Sequence, residues 1–512
     1  MKILDCTLRD GGYYTNWDFD RKTVDTYIDS CNDLPVDYLE IGYRSTPQAG
    51  YLGEYFYLPL YVIQRIKKQS NKKLAILLNE KDINAETVGD LLRPCIDLIS
   101  LVRIAVAPHH FARGLTLAKA VKDMGFEVGI NVMYMSKWKE HKDFLSLLPE
   151  MGGIADYFYM VDSYGSVYPE DVREIYQLVR SFTDVPIGFH GHNNLELALI
   201  NTLTAIECGA EIVDATVTGM GRGAGNLKTE LLLTALNARE NLDFNFNALT
   251  KAVDVFTRLQ ELHNWGTNLP YMFSGANSLP QKEVMDWVSK RYYSFNSIIT
   301  ALNTQSKGTE DDNRLPVFNP ETEKHKTAVI VGGGPSALQH EAAIKHFLEM
   351  NQDVIVVHAS SKNAMAYKTI PNKQFFCLVG NEGYRMEEVF SGDIPQAAIC
   401  VLPPSPRKMG TYIPNKLSNR AYELKEITFT DKYKDSHTAI ALQTAIQLGV
   451  ERLLVVGYDG YLTTAVSTKE RELVIENEYL FNNSSVKTTI SARSLTPTLY
   501  GALSIDSIYK YI

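Results

Sequence analysis

The stretch Val185-Pro186-Ile187-Gly188-Phe189-His190-Gly191-His192 joins a short apolar run to a His-x-His pair. The run is bounded by turn-forming residues, which is typical of a buried strand. Alternate side chains of a strand point the same way, so His190 and His192 share one face at its C-terminal end. Neutral imidazole is a common metal ligand, but two histidines make only half a site. The pair predicts a metal centre if another segment supplies a carboxylate or a thiolate; otherwise it is two hydrogen-bonded histidines.

Short apolar runs alternate with helix-like stretches from the N-terminus to about residue 300. Eight strands are predicted: Ile3–Asp5, Tyr38–Ile41, Leu74–Leu78, Leu98–Ile104, Glu127–Tyr134, Tyr157–Val161, Pro186–His190 and Ile212–Thr216. Eight strands separated by helical stretches predict a (β/α)8 TIM barrel, whose functional groups come from the carboxyl ends of several strands. Polar residues occupy those ends: Asp5, Arg9, Asp10, Glu40, Arg103, Asp162, Ser163, His190 and His192.

Composition sets limits on the class of protein. A chain of 512 residues exceeds what one hydrophobic core usually serves, so two domains are expected. Hydrophobic residues make up 45% and charged residues 22%, as in ordinary globular proteins, and no apolar run approaches a membrane span. With a net charge of -9, a broad basic surface for nucleic acid is not expected.

The termini and the cysteines indicate the compartment. The N-terminal residues run straight into a predicted strand, without the apolar region of a signal peptide, so we expect a cytoplasmic protein. The six cysteines are scattered and form no Cys-x-x-Cys pattern. This spacing favours reduced, mostly buried thiols over a disulfide framework.

Three motifs follow one another in the predicted barrel. They are Thr7-Leu8-Arg9-Asp10-Gly11, His190-Gly191-His192-Asn193 and Gly219-Met220-Gly221-Arg222-Gly223-Ala224-Gly225-Asn226. Together they resemble the metal-dependent lyases and Claisen-type synthases called DRE-TIM metallolyases, over roughly the first 300 residues. The run 162–171, Trp265-Gly266 and the segment 269–275 are most similar to the 4-hydroxy-2-oxovalerate aldolase branch.

The resemblance implies a ligand set and a chemistry. Asp10 would join His190 and His192 at a divalent metal, and Asn226 matches a loop asparagine that lies at the metal in this family. Oxygen and nitrogen ligands favour manganese or magnesium and leave zinc open. Arg9 would stabilise the enolate of a pyruvate-type 2-oxo acid. The alternative role of Arg9 is a salt bridge to a carboxylate such as Asp10 or Glu40.

One position departs from the aldolases. Where they carry a catalytic histidine, this chain has Tyr13, and tyrosine, with a pKa of about 10, suits acid or hydrogen-bonding roles better than base catalysis. The candidate bases are Tyr13 assisted by the metal, a metal-bound hydroxide, Tyr271 and His109. The glycine loop also lacks the cysteine of the CoA-linked lyases, which disfavours that branch.

The second half of the chain predicts a separate domain. Residues 264–302 would form a helical extension of the barrel, 303–326 a linker, and 327–512 a Rossmann-like, doubly wound α/β domain. The strand Ala328–Val331 leads into Gly332-Gly333-Gly334-Pro335-Ser336 and a helix-like run. This turn predicts a phosphate site at Gly332, Gly333, Gly334 and Ser336, or only a structural turn.

Further apolar runs predict more strands in this domain: Val354–His358, Phe375–Val379, Ala397–Leu402 and Arg452–Val456. Asp459, after the last of them, would orient a ribose or sugar, or cap the following turn. Together with Gly334-Pro335-Ser336, this end of the domain faintly resembles bacterial sialyltransferase-type and motility-accessory glycosyltransferase domains. That resemblance implies a nucleotide or nucleotide sugar as ligand.

The leading hypothesis is an aldolase that acts on small 2-oxo acid and aldehyde substrates, in a chain that we expect to form a homo-oligomer. The first alternative is a Claisen-type synthase that joins an acyl-CoA to a 2-oxo acid. The second is a catalytically degenerate barrel that regulates a nucleotide-sugar-binding C-terminal domain, since Tyr13 replaces the histidine.

Overall fold

The computed structural model describes residues 1–289, 294–320, 325–461, 468–488, 490 and 492–512. The chain divides into two compact units, Met1–Met285 and Asp286–Ile512. The first contains a closed parallel barrel and the second an open parallel sheet, so the predicted fold class is confirmed for both parts.

The first unit is built around eight strands. They are β1 (Lys2–Asp5), β2 (Tyr38–Tyr43), β3 (Lys73–Asn79), β4 (Leu101–Val106), β5 (Glu127–Val132), β6 (Tyr157–Asp162), β7 (Ile187–Gly191) and β8 (Ile212–Ala215). Each strand pairs in parallel with the next, and β8 pairs with β1 to close the barrel. All eight strands were predicted; the largest shift is at β4, which begins at Leu101 rather than Leu98.

Helices surround the barrel. They are Thr7–Thr15, Arg21–Asn32, Glu54–Tyr57, Leu60–Gln69, Val88–Leu92, Phe111–Lys122, Lys142–Ser146, Pro169–Arg180, Ala198–Cys208, Thr229–Glu240, Phe246–His263, Leu269–Ala276 and Gln281–Ser289. The helix Pro169–Arg180 shows how they are fixed. Proline opens it, the Asp171 carboxylate accepts the N–H of Tyr168 (2.9 Å), and its apolar face, including Ile175, is buried.

The second unit is built around one parallel sheet. Its strands are β9 (Thr327–Val331), β10 (Ile355–His358), β11 (Gln374–Cys377), β12 (Ile399–Leu402), β13 (Ala421–Glu423), β14 (Arg452–Val456), β15 (Ala492–Ser494) and β16 (Ser504–Ile505). Their order is β13-β12-β11-β10-β9-β14-β15-β16. The chain therefore builds outward from β9 in one direction and returns to add β14 on the other side of β9.

Apolar clusters cover both faces of this sheet. The accompanying helices are Phe295–Ser306, Ser336–Gln339, Glu341–Met350, Glu382–Val389, His437–Gln447 and Thr468–Lys487. In the predicted linker 303–326, residues 321–324 lie outside the described residues. Val317 of this segment forms a parallel bridge to Glu423 of β13, and Phe318 is buried in the core. This part of the segment therefore packs against the sheet edge.

Two whole-chain features accompany the fold. Among the described helices, none is both long enough and apolar enough to cross a bilayer. All six cysteines are free thiols, and only Cys208 among them is partly exposed.

Candidate metal centre

The end of β1 directs a helical turn into the barrel mouth. The chain passes from Asp5 almost directly into the helix Thr7–Thr15, whose first turn carries Arg9 and Asp10. The buried Asp5 carboxylate accepts a hydrogen bond from the Thr229 hydroxyl (2.6 Å), which lies beyond the end of β8. This contact ties the helix entry to the neighbouring strand and fixes where Arg9 and Asp10 point.

His190 in β7 and His192, one residue beyond its end, are both oriented through their Nδ1 atoms. His192 Nδ1 lies 2.8 Å from the carbonyl oxygen of Asp162, at the end of β6. A carbonyl only accepts hydrogen bonds, so Nδ1 carries the proton and Nε2 of His192 presents a lone pair. His190 Nδ1 lies 2.7 Å from Oδ2 of Asp214 on β8. Each imidazole is thereby held by a neighbouring strand end.

The other face of His190 meets a second carboxylate. Its Nε2 lies 3.6 Å from Oδ2 of Asp10. When Nδ1 donates to Asp214 and the imidazole is neutral, Nε2 and Oδ2 of Asp10 are both acceptors, which repel each other unless a cation lies between them. One potential ligand atom each from Asp10, His190 and His192 lies within 4.8 Å of the other two. The arrangement fits a bound cation.

The glycine loop after β8 brings Asn226 to this set. Asn226 bridges to His192, and its Nδ2 donates to Oδ2 of Asp10 (2.6 Å). Its Oδ1 is buried and has no hydrogen-bond partner within the described part of the chain. The sharp fold of the loop requires glycine, because Gly225 has φ +82° and a Cβ there would lie 2.1 Å from the carbonyl oxygen of Gly219. The orphaned oxygen of Asn226 suits a hard divalent cation.

A chain of buried ion pairs crosses the mouth of the barrel. Arg9 contacts Asp10 (2.7 Å) and Glu40 (2.6 Å). Arg103 contacts the other oxygen of Glu40 (3.2 Å) and Oδ2 of Asp214 (2.5 Å). All five residues are buried. The two arginines and three carboxylates leave one negative charge in excess, which a divalent ion offsets.

The charge states of these groups suit metal binding. Burial opposes ionisation of Asp10, but Arg9, the two histidines and the Asn226 hydrogen bond together outweigh it and lower the pKa of this carboxyl. Burial acts in the same way on Asp214, where Arg103 and His190 lower the pKa. Burial, followed by the charge of His190, lowers the pKa of His192 to about 3. At neutral pH the carboxylates are charged and His192 is neutral, which are the forms that bind a cation.

A nearby thiol is not expected to act as a metal ligand, because its burial keeps it protonated. Cys6 also lies within ligand distance of His190 and Asp214. Desolvation raises the pKa of the Cys6 thiol well above its ordinary value, and Sγ lies 3.6 Å from the carbonyl oxygen of Ala215. The thiol therefore stays protonated and packs as a small apolar group.

The predicted catalytic tyrosines lie around the glycine loop. The Tyr13 hydroxyl is 3.4 Å from that of Tyr43, and the Arg222 guanidinium lies 5.6 Å from the centre of the Tyr13 ring. Tyr271 is buried on the helix Leu269–Ala276, where its ring approaches Gly223.

The candidate base His109 lies on the short 3-10 helix after β4. Its side chain is exposed, and its ring contacts that of His110, 4.1 Å away between ring centres. Its surroundings are those of a surface histidine.

Sequence reasoning missed the role of the ion-pair chain. Glu40 was predicted as a possible ion-pair partner of Arg9, and this pair is present. Arg103 was recognised only as a polar residue at a strand end, and Asp214 was not recognised. The available signal was a charged residue within an otherwise apolar, fully buried strand, since such charges need partners. Asp214 orients His190 and neutralises Arg103, so it supports the ligands from behind.

The predicted phosphate-binding residues, Gly332–Gly334 and Ser336, lie in the second unit between β9 and β14. The N–H groups of Gly332 and Gly334 donate to carbonyl oxygens at the end of β14 and just after it (2.9 and 2.8 Å). The N–H of Ser336 donates to Oδ1 of Asp459 (3.1 Å). Three backbone donors of this turn are therefore engaged within the fold.

Comparison with known proteins agrees with the geometry of the barrel. Residues 102–264 match the family described as HMGL-like. The chain is 32% identical to an oxaloacetate decarboxylase of Mycobacterium tuberculosis over 253 residues, which cover 47% of this chain and 71% of that protein. It is also 32% identical to a 4-hydroxy-2-oxovalerate aldolase of Carboxydothermus hydrogenoformans over 243 residues, covering 46% and 70%.

A solved structure supports the same assignment. The crystal structure of the N-terminal domain of a candidate aldolase from Bacteroides vulgatus is 57% identical and superposes with a TM-score of 0.56. The match covers all of that domain and 59% of this chain. The chain belongs to the HMGL-like family, and its barrel is that of a metal-dependent lyase.

Proposed function

We propose that the barrel is an aldolase that forms or cleaves a carbon–carbon bond next to the pyruvate-type enolate of a 4-hydroxy-2-oxo acid. The observation that carries the proposal is the approach of His190 Nε2 to Asp10 Oδ2, 3.6 Å apart beside Arg9, within one cluster that also contains His192. A divalent cation, with Mn²⁺ or Mg²⁺ favoured, would be held there by Asp10, His190, His192 and Asn226. When bound, such an ion acts as a Lewis acid on a 2-oxo acid.

Arg9 is suited to meet the developing enolate charge. Its Nε and Nη1 atoms contact Glu40 and Asp10, which use two of the five N–H donors of the guanidinium. Among the described residues the remaining donors have no hydrogen-bond partner, so they can donate to an oxyanion. Because the two carboxylates hold the side chain in place, it needs little reorganisation during the reaction. Arg9 would thus combine the salt-bridge role and the catalytic role.

The proton acceptor separates two versions of this chemistry. Aldol cleavage requires a base for the 4-hydroxyl, whereas loss of CO2 from a 2-oxo acid whose C3 carries a carboxylate leaves the same enolate without proton abstraction. Tyr13 contacts the hydroxyl of Tyr43 and lies beside Arg222, and neither neighbour is a base. This observation favours decarboxylation as the second candidate function, in line with the relative named oxaloacetate decarboxylase.

Arg222 provides a further reason to consider a dicarboxylate. It forms no ion pair with a carboxylate of the described residues, yet its charge is felt at His192, where it contributes to the lowered pKa. An unpaired cation beside the metal ligands can bind a second carboxylate of the substrate.

The first experiment measures enolate formation directly. The chelated protein is incubated with pyruvate in D2O, and deuteration of the methyl group is followed by NMR as Mn²⁺ or Mg²⁺ is restored. We expect metal-dependent exchange that falls by at least about 100-fold in Arg9→Met, since a fixed donor to an oxyanion has this weight. Arg21→Met, at an exposed pair with Asp25, is the matched control. Exchange that needs no metal, or that persists in Arg9→Met, would contradict the proposal.

A second experiment distinguishes the two reactions. Pyruvate release from 4-hydroxy-2-oxovalerate and from oxaloacetate is measured with Tyr13→Phe and Arg222→Gln. If the barrel is an aldolase, only the first substrate is cleaved efficiently and Tyr13→Phe lowers kcat. If it is a decarboxylase, Tyr13→Phe has little effect on oxaloacetate turnover, and Arg222→Gln raises KM by about tenfold or more through loss of a charged contact.

A further inference from the structure

The second unit contains a cavity at the point where the order in which strands are added to the sheet reverses. In the order β13-β12-β11-β10-β9-β14-β15-β16, the strands β9 and β14 are neighbours although they are far apart in sequence. Open parallel sheets bind ligands outside the carboxyl ends of their strands at such a point. A cavity of about 620 Å³ lies there, between the loops that follow β9, β10 and β14. Its size suits a small-molecule ligand, since such sites span about 300–1,000 Å³.

The glycine turn is not the part of this cavity that binds an anion. A Cβ at Gly334 would lie 1.8 Å from Oδ2 of Asp459, so this carboxylate already fills the space above the turn. The other oxygen of Asp459 accepts the N–H of Ser336, and the Ser336 hydroxyl donates to Thr496 (2.9 Å). A phosphate placed here would meet a negative charge. The glycines instead allow the loops after β9 and β14 to approach each other closely.

Cationic groups lie on another wall of the same cavity. Lys362, Arg385 and His437 all line it. The buried Glu382 fixes two of them, with contacts to Arg385 (2.9 Å) and to Nε2 of His437 (3.3 Å). Lys362 is exposed and has no carboxylate partner within the part of the chain that the structure describes. This wall presents an uncompensated ammonium group beside an anchored guanidinium, as an anionic group requires.

Hydrogen-bonding groups complete the cavity. Oδ2 of Asp459 is buried and lacks a partner among the described residues, so it can accept a hydrogen bond from a ligand hydroxyl. The floor is a chain of hydrogen bonds in which Thr438 donates to Asn477 (2.7 Å) and Asn477 donates to Tyr500 (3.1 Å). The Tyr458 hydroxyl lies 3.2 Å from that of Thr438. Such a floor binds polar rather than hydrocarbon groups.

We infer that this cavity binds a phosphate ester of a polyhydroxylated compound, a class that includes nucleotides and sugar phosphates. The phosphate lies against Lys362 and Arg385, and a hydroxyl of the ligand donates to Asp459. The anion is therefore placed away from the glycine turn. This site is separate from the metal centre of the barrel and does not depend on the function proposed for it.

Calorimetric titration of the full chain tests the inference, with EDTA present so that the barrel holds no metal to capture phosphate. The probes are uridine 5′-diphosphate, ribose 5-phosphate and inorganic phosphate. We expect at least one ester to bind tenfold or more tightly than inorganic phosphate. Tighter binding of the diphosphate identifies a nucleotide site, and tighter binding of ribose 5-phosphate identifies a sugar phosphate site. If neither ester binds at millimolar concentration, the inference is wrong.

Two variants and one control locate the phosphate and the hydroxyl. Lys362→Gln should weaken ester binding tenfold or more, whereas Lys345→Gln, at a lysine paired with Glu341 outside the cavity, should not. Asp459→Asn should reduce the preference for the ester over inorganic phosphate, because the anionic acceptor is lost.

Gly333→Ala tests the rival location in the glycine turn. A Cβ there would approach only Lys362 and Ser360, at 3.8 Å, so the fold accommodates it. Unchanged affinity in this variant supports the cationic wall. Affinity that Gly333→Ala abolishes and Lys362→Gln leaves intact would instead place the phosphate at the turn and overturn the assignment.

Discussion

The metal centre of the barrel and the cavity of the second unit both lie at the carboxyl ends of parallel strands, but their charges are held differently. In the barrel, Glu40, Arg103 and Asp214 project from three different strands, and each pairs with another of them inside the protein. In the second unit, Lys362 follows a strand on a short 3-10 helix and is exposed. The barrel is therefore organised before any substrate arrives, whereas the cavity leaves a charge for the ligand to neutralise.

This difference separates stability from binding. Buried ions that lose one partner leave the other uncompensated, so changes at the barrel centre should affect folding as well as activity. An exposed ammonium group loses little on substitution, so changes at the cavity should affect mainly affinity. The following predictions test this contrast, beginning with the largest expected effect.

Removing the central cation of the barrel should cost the most. Arg103→Met leaves Glu40 and Asp214 with one cationic partner fewer, and we expect the free energy of unfolding to fall by about 3–5 kcal/mol. Arg239→Met breaks an exposed pair with Glu207 and should cost at most about 1 kcal/mol. Urea unfolding, monitored by hydrogen exchange of barrel peptides, measures the free energy of unfolding of both variants. Equal costs for the two variants would show that the ion-pair chain is not structural.

The stability of the second unit should depend on pH through a histidine buried in its core. His358 on β10 is fully buried, donates from Nε2 to Oε1 of Gln374 (2.8 Å) and stacks on Phe376. Burial, partly offset by the Gln374 hydrogen bond, lowers the pKa of His358 to about 4 from 6.5. As the pH falls below 6.5, His358 becomes protonated in the unfolded chain but stays neutral in the folded unit. The free energy of unfolding is therefore highest above this pH and decreases on acidification.

The expected loss is about 1.4 kcal/mol per pH unit between the two pKa values, or about 3 kcal/mol in total. Hydrogen exchange of peptides from β9 and β10 at a series of pH values measures it. His358→Gln should abolish this part of the slope, while His346→Gln, at an exposed position on the helix Glu341–Met350, should retain it. A slope that survives in His358→Gln would assign the acid sensitivity to other groups.

Asp214 tests whether the barrel network also sets metal affinity. Asp214→Asn keeps the shape of the side chain but removes the charge that orients His190. We expect affinity for Mn²⁺ to fall by about 10–100-fold, the usual effect of losing a carboxylate behind a histidine ligand. Asp123→Asn, at an exposed carboxylate, is the control. Mn²⁺ titration followed by electron paramagnetic resonance gives both values; unchanged affinity would limit Asp214 to a structural role.

Features with a local periodic pattern could be predicted from the sequence, whereas contacts between distant strands could not. His190 and His192 were placed correctly on one strand end because a period of two is visible in a single segment. Asp214 carries no such pattern, since its partners Arg103 and His190 lie on other strands and meet it only after the barrel closes. The short strands β13, β15 and β16, of two or three residues, were also missed. They exist through pairing with a formed sheet, which no local signal encodes.

The environment of a predicted residue was equally hard to foresee. The strand, glycine turn and helix around Gly332–Gly334 were predicted correctly, but the carboxylate above the turn comes from Asp459, more than a hundred residues later. Tyr13 was recognised as a departure from the aldolases. Its contact with Arg222 could not be predicted, because it depends on how the glycine loop folds over the barrel mouth. Contacts of this kind depend on topology rather than on local sequence.

The smallest effect compares one threonine hydroxyl from each region. Thr229 in the barrel donates to the carboxylate of Asp5 (2.6 Å), and Thr438 in the second unit donates to the side-chain carbonyl of Asn477 (2.7 Å). Both threonines are buried, and valine has nearly the same shape. Thr229→Val therefore removes one hydrogen bond with little change in packing. Thr438→Val removes the bond to Asn477 and the 3.2 Å contact with the Tyr458 hydroxyl.

Thr229→Val should lower the stability of the barrel by about 2 kcal/mol and Thr438→Val that of the second unit by about 1 kcal/mol, because hydrogen bonds to charged groups contribute more than neutral ones. In the barrel, Oδ2 of Asp5 would be left buried without a donor. In the second unit, Asn477 lines the cavity, so water can replace the lost hydroxyl. Hydrogen exchange of peptides from β1 and β14 measures each cost in its own unit. A larger loss for Thr438→Val would mean that the cavity is as dry and preorganised as the barrel centre, and the contrast between the two regions would not hold.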